Sequence, residues 1–68
     1  MPTTGKKMVR EMQKDGWKIN RITGSHNIME KNGEIIAVPV HGNKDLAIGT
    51  EADIRKMTGL KKNDRRRI

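Results

Sequence analysis

With 68 residues, the chain has room for one domain and none for a second. It contains no cysteine, which excludes disulfide bonds, thiolate catalysis and zinc knuckles, and no apolar run reaches the roughly 18 residues of a membrane-spanning helix. The formal net charge of +7 favours polyanionic partners through phosphate contacts. We therefore expect a soluble, cytoplasmic domain whose core is built from methionine, aliphatic residues and Trp17.

The first predicted element is an amphipathic helix that Thr3 or Thr4 caps and that extends through Asp15, with Gly16 as its C-terminal stop. Its apolar residues fall within about 100° of one another on a helical wheel, which predicts a face toward the core. These residues are Met8, Val9 and Met12, and the cations on the opposite side are Lys7, Arg10 and Lys14. The cations form either an ordinary solvated face or a set of contacts for an RNA backbone.

Three strands are predicted next, over Trp17–Thr23, Ser25–Lys31 and Glu34–Val40. Gly24 separates the first two strands. Asn32-Gly33, between the last two, is a strong signal for a tight hairpin, because both residues of such a turn need a positive φ.

The two-residue loop at Asn32-Gly33 determines which residues of the second and third strands lie opposite each other. One face is mostly apolar, and we assign it to the core; its pairs are Lys31–Glu34, Met29–Ile36, Asn27–Val38 and Ser25–Val40. The pairs on the other face are Glu30–Ile35, Ile28–Ala37 and His26–Pro39. His26 is therefore predicted to point to the open face of the sheet.

A loop over Gly42–Gly49 follows, and we expect Leu46 and Ile48 to attach it to the core. Thr50 and Asp53 are predicted to form the N-terminal capping pair of a second helix. This helix should run from Glu51 to about Thr58, with core contacts from Ile54, Met57 and, just past the stop at Gly59, Leu60.

The predicted order is α-β-β-β-α, an α+β fold in which a three-stranded antiparallel sheet carries both helices on one face. We expect a single domain over residues 1–60 and a flexible basic tail over residues 61–68. The tail has five basic residues and one acidic residue, a net charge of +4. It is either a solvated segment without a task or a contact for a polyanion.

Gly24-Ser25-His26 is the segment most suggestive of chemistry, because histidine, with an ordinary pKa of about 6.5, moves protons near neutral pH. RNA carries its own nucleophile, the 2′-hydroxyl. A protein needs only to take that proton, protonate the leaving 5′-oxygen and neutralise charge on the phosphorane. His26 is our candidate catalytic residue. Four other residues are candidate RNA contacts. Gly24 allows close approach of the backbone, Ser25 offers its hydroxyl, and Arg21 and Lys44 offer their charges.

Short motifs follow one another in a fixed order along the chain: Gly24-Ser25-His26, Val38-Pro39-Val40-His41, Gly49-Thr50 and Gly59-Leu60. This ordered set resembles the HicA family of toxin mRNA interferases over roughly residues 4–60. The resemblance implies a fold like that of double-stranded-RNA-binding domains and a metal-independent endoribonuclease, the toxin of a type II toxin–antitoxin pair, with His26 as its catalytic residue. Many relatives have a second histidine where this chain has Asn27, which our register places on the core side.

The resemblance also implies partners. Besides mRNA, we expect a HicB-like antitoxin protein that covers the His26 face, and DNA binding only through the toxin–antitoxin complex. We expect no membrane partner.

Several alternatives stay open at this point. His41 either forms an acid–base pair with His26 or is a surface histidine at a strand end. Metal-ligand spacing is absent and the carboxylates are scattered, so we expect no metal and no cofactor. The competing function is a non-catalytic RNA-binding module that uses the helix cations and the tail, and a weaker one is a structural accessory subunit.

Overall fold

The computed structural model describes residues 3–60, so the predicted tail lies outside the described residues. In chain order it has helix α1 (Gly5–Lys14), strands β1 (Lys18–Thr23), β2 (His26–Lys31) and β3 (Glu34–Pro39), and helix α2 (Ile48–Thr58). The strands form one antiparallel sheet in the order β1-β2-β3. The predicted α+β fold is confirmed. Within residues 3–60, no helix has the length and apolar character needed to cross a membrane.

Helix α1 begins after the predicted cap at Thr4 and ends at Lys14, one residue before the predicted end at Asp15. The Thr4 side chain accepts a hydrogen bond of 3.1 Å from the Lys7 backbone N–H, which satisfies one of the free donors of the first turn. Gly16 has a φ of 100° and follows the C-terminal residues of the helix. The apolar side of α1 is buried, as predicted, through Met8, Val9 and Met12.

The β2–β3 hairpin has the predicted register. Asn32 and Gly33 both have positive φ, 51° and 85°, as a two-residue hairpin turn requires. Met29 lies opposite Ile36, and His26 lies opposite Pro39. Because directly opposite residues share a face of the sheet, one side of the hairpin is buried and the other is open.

The core lies between the helices and one face of the sheet. Its buried apolar residues come from every element except β1 and from two connections: Met8, Val9, Met12, Trp17, Met29, Ile36, Val38, Leu46 and Ile54. Val40 and Leu60 pack against this cluster. Trp17 precedes β1 instead of forming its first residue, and its backbone N–H donates to the Met12 carbonyl at 2.9 Å.

Helix α2 differs from the prediction at its start. It begins at Ile48, with Ala47 as the N-cap, because the Glu51 N–H already bonds to the Ala47 carbonyl at 2.9 Å. The predicted capping pair of Thr50 and Asp53 is therefore wrong, since both residues lie inside the helix. No side chain caps this end, although the negative charge of Glu51 in the first turn favours the helix dipole.

Two residues assigned to the core near α2 are exposed. Ile48 is 87% exposed and Met57 is 56% exposed, whereas the predicted contacts of Leu46 and Ile54 are confirmed. The reason is that α2 turns a partly charged side, with Glu51 and Arg55, toward the rest of the domain. The sequence pattern instead predicts Ile54 and Met57 as the core side of this helix.

A polar clamp of four residues connects α2 to α1 and to the N-terminal segment. The Arg55 guanidinium donates to Glu51 at 2.9 Å, to Glu11 at 3.1 Å and to the Thr3 hydroxyl at 3.3 Å. Thr3 in turn donates to Glu51 at 2.8 Å. Burial lowers the pKa of Arg55, but the hydrogen bonds to Glu51 and Glu11 outweigh it and raise the pKa above its ordinary value. Arg55 therefore stays charged wherever the domain is folded.

Candidate active site

His26 is the first residue of β2 and is exposed on the open face of the sheet. It lies opposite Thr23 of β1 and Pro39 of β3. Met29, three residues further along β2, is fully buried on the other face, as the alternation of a strand requires. The predicted orientation of His26 is confirmed.

The two-residue turn Gly24-Ser25 places His26 at one end of the sheet. Gly24 has a φ of 59°, and a glycine at the first position of such a turn is typical of the II′ hairpin type. A side chain added at Gly24 would have no atom within 4 Å. The space above this backbone is therefore open to a ligand.

Ser25 joins this turn to the end of β3. Its carbonyl accepts a hydrogen bond of 2.6 Å from the Val40 N–H, so the predicted pairing of these two residues is present. The Ser25 side chain is only half-buried. It can therefore present its hydroxyl beside His26.

A β-bulge in β1, which the sequence analysis missed, brings Arg21 to the His26 face. Ile19 lies opposite Met29 and Arg21 opposite Ile28, so Asn20 is an extra residue in β1. In a regular strand, Ile19 and Arg21 would share one face. The bulge instead places Ile19 on the core face and Arg21 on the open face.

A polar contact accompanies the bulge. The Asn20 side-chain amide donates to the Glu30 carboxylate at 2.7 Å. The sequence does not predict a bulge here, because Asn20 fits the position of a polar, outward-facing residue in a regular strand.

The loop after β3 carries Lys44 and His41, both exposed. The Lys44 N–H donates to the His41 carbonyl at 3.0 Å, which closes a turn. The next residue, Asp45, forms an isolated antiparallel β-bridge with Thr4 through the backbone. The loop thus leaves β3 at the end of the sheet that also carries Ser25, but among residues 3–60 no hydrogen bond or ion pair joins Lys44 or His41 to His26.

The cations of α1 are not part of this group. Lys7, Arg10 and Lys14 are exposed, and α1 packs on the core face of the sheet, opposite His26, with contacts to β1 and β3. The predicted RNA contacts therefore divide into a set around the Gly24-Ser25 turn and a set on α1.

Within residues 3–60, no three side chains of the metal-binding types are grouped closely enough to hold a metal ion. On the open face, His26 is the titratable side chain at this end of the strands, and Arg21, opposite Ile28, lies on the same face.

An exposed histidine next to a glycine turn, with an arginine on the same face of a small basic domain, defines a candidate site for chemistry on a polyanion. The family described as the HicA toxin of bacterial toxin–antitoxin systems matches residues 5–60, most of the chain. The chain therefore belongs to the HicA toxin family, and its role is that of a toxin. No curated protein and no solved structure matches the chain.

Proposed function

We propose that this HicA-family toxin is a metal-independent endoribonuclease that cleaves mRNA, with His26 as its acid–base residue. The observation that carries the proposal is the placement of His26, exposed on the open face with Arg21 and directly after the open Gly24-Ser25 turn. His26 belongs to neither the core nor the polar clamp, so its position does not contribute to the packing of the fold.

The reaction that fits this group uses the RNA's own 2′-hydroxyl. The 2′-oxygen attacks the adjacent phosphorus and the bond to the 5′-oxygen breaks, which leaves a 2′,3′-cyclic phosphate and a 5′-hydroxyl. The His26 imidazole takes the 2′-proton while water protonates the 5′-oxygen, or, when protonated, it donates to the 5′-oxygen while water takes the 2′-proton. The Arg21 guanidinium stabilises the negative charge that grows on the phosphorane.

The turn and the neighbouring loop supply the remaining contacts. Gly24 lets the phosphate approach the backbone, since no atom of the chain occupies the space where a side chain would stand. The Ser25 hydroxyl donates to a phosphate oxygen, and Lys44 contacts a phosphate further along the strand. These contacts hold the RNA by its backbone and carry no base preference.

The toxin role implies an antitoxin, and we propose that a HicB-type antitoxin covers the open face of the sheet. This face carries apolar residues along its length: Pro39 lies opposite His26, Ala37 and Ile28 come next, and Ile35 lies toward the Asn32-Gly33 turn. Ile35 is 62% exposed, and an exposed apolar patch of this kind favours a protein partner. DNA binding then belongs to the toxin–antitoxin complex.

Cleavage of a long single-stranded mRNA in EDTA tests the proposal, with wild type compared with His26→Ala. We expect wild type to cut and the variant to lose at least about a hundredfold in rate, the usual contribution of a positioned acid–base group. His41→Ala is the matched control, because His41 is also exposed but lies in the loop after β3. Circular dichroism establishes that both variants are folded.

Three results would contradict the proposal. Equal cleavage by wild type and folded His26→Ala would assign the activity to another residue or to a contaminant. Cleavage that depends on added metal would contradict the mechanism. Binding of RNA without cleavage by wild type would favour the non-catalytic RNA-binding module.

A further inference from the structure

The outer side of α1 carries a stripe of positive charge that no acidic group neutralises. We call it the α1 stripe; its residues are Lys6, Lys7, Arg10 and Lys14, all exposed. At about 100° per residue these four positions span about 100° of the helix surface. Within the described part of the chain, none of their side chains forms an ion pair or hydrogen bond.

The two acidic residues near the stripe have other partners. Glu11 accepts from Arg55 of α2 at 3.1 Å, and Asp15 pairs with Lys31 of β2 at 3.0 Å. Both carboxylates are therefore turned toward the rest of the domain. Alternating acidic and basic residues are typical of a solvated helix face, whereas the first turn of α1 contains no acidic residue.

The stripe begins at the end of the sheet that carries the candidate active site. At Gly5 the backbone of α1 lies so close to β3 that an added Cβ would collide with the Pro39 carbonyl and lie 2.9 Å from the Val40 Cα. Val40 is hydrogen-bonded to Ser25, next to His26. From Gly5, the ten residues of α1 lead away from the site over about 15 Å, at 1.5 Å per residue.

We propose that the RNA strand cut at His26 passes over this end of the sheet and continues along the α1 stripe, which binds its phosphates. The inference rests on the proposed function for the position of the scissile bond. Base stacking is excluded as the main source of affinity, because the only Phe, Tyr or Trp side chain of the chain, Trp17, is 4% exposed. Binding along the stripe is therefore electrostatic and independent of sequence.

The test compares two double variants that remove the same charge: Arg10→Gln with Lys14→Gln on the stripe, and Lys18→Gln with Lys56→Gln elsewhere. All four residues are exposed and none has a side-chain partner among the described residues. Binding of oligonucleotides of about four and about sixteen nucleotides is measured against salt. His26→Ala serves as the background so that the RNA is not consumed.

We expect the stripe variant to reduce the gain in affinity from the short to the long oligonucleotide by roughly tenfold. The slope of log K against log salt for the long oligonucleotide should fall by about 1.4, since each phosphate contact on a single strand contributes about 0.7. The control pair should leave both quantities near those of the His26→Ala background.

Equal behaviour of the two double variants would overturn the inference and make the stripe a solvated face. Cleavage assays in the native background separate this outcome from a failure of the proposed function. If His26→Ala cleaves RNA as wild type does, the proposed function fails, whatever the stripe variants show. If His26→Ala loses cleavage but the stripe variant binds RNA as its control does, the ribonuclease proposal stands and the path along α1 is wrong.

Discussion

At Gly5 the backbone of α1 comes very close to β3. An added Cβ there would meet the carbonyl of Pro39, which is backbone and not the end of a flexible side chain. Gly49, in the first turn of α2, shows the opposite situation, because nothing lies within 4 Å of an added Cβ. Both glycines lie in the first turn of a helix, and only the packing around them differs.

Gly5→Ala should destabilise the domain by about 1–3 kcal/mol, the usual effect of overpacking at a tight contact. Gly49→Ala, the matched control, should leave stability unchanged or raise it by up to about 1 kcal/mol, since alanine favours a helix. Urea unfolding followed by circular dichroism measures both. A Gly5→Ala variant as stable as wild type would show that α1 can move away from β3 without loss.

At the scale of elements, the β-bulge decides which residues of β1 face the candidate site. Because Asn20 is the extra residue, its removal should convert β1 into a regular strand without changing the face of Ile19 or Arg21. A deletion in β2 acts differently. Removal of Asn27 would shift His26 into the core-facing position opposite Val38.

Deletion of Asn20 should therefore leave the domain folded and cleaving RNA within a few-fold of wild type. The expected loss of stability is about 1 kcal/mol, from the exposed hydrogen bond to Glu30. Deletion of Asn27, the control, should abolish folding or cleavage. Thermal unfolding and the mRNA cleavage assay measure both variants, and equal damage from the two deletions would contradict the role given to the bulge.

At the scale of the whole molecule, the domain is closed on one side and open on the other. Both helices contribute to one buried cluster on a single face of the sheet, and within residues 3–60 no element covers the opposite face. A domain of this size buries only about 60% of the surface of its unfolded chain. A protein that covered the open face would therefore both block His26 and add stability by mass action.

Ile35→Asp should weaken binding of the antitoxin by roughly tenfold or more, because it places a charge in the apolar part of the open face. Ile48→Asp is the control, since Ile48 is even more exposed but lies on α2, away from that face. Titration calorimetry with the purified antitoxin measures both affinities. If Ile48→Asp weakened binding and Ile35→Asp did not, the antitoxin would bind the helical side.

Local signals in the sequence were sufficient for most of the fold. The cap at Thr4, the apolar side of α1 and the turn at Asn32-Gly33 depend on neighbouring residues alone, and all three are present in the structure. The turn also determined the β2–β3 register, because a two-residue loop leaves no choice of pairing. The orientation of His26 followed from that register.

Local sequence signals were therefore enough for the order of elements, the family and the face on which His26 lies. Tertiary structure alone decided three features: the bulge that turns Arg21 to that face, the exposure of Ile48 and Met57, and the clamp around Arg55. Two of them involve partners distant in the chain, since Asn20 bonds to Glu30 and Arg55 to Glu11. Periodicity reports only how a residue relates to its near neighbours, so contacts between distant segments had to be seen in the folded chain.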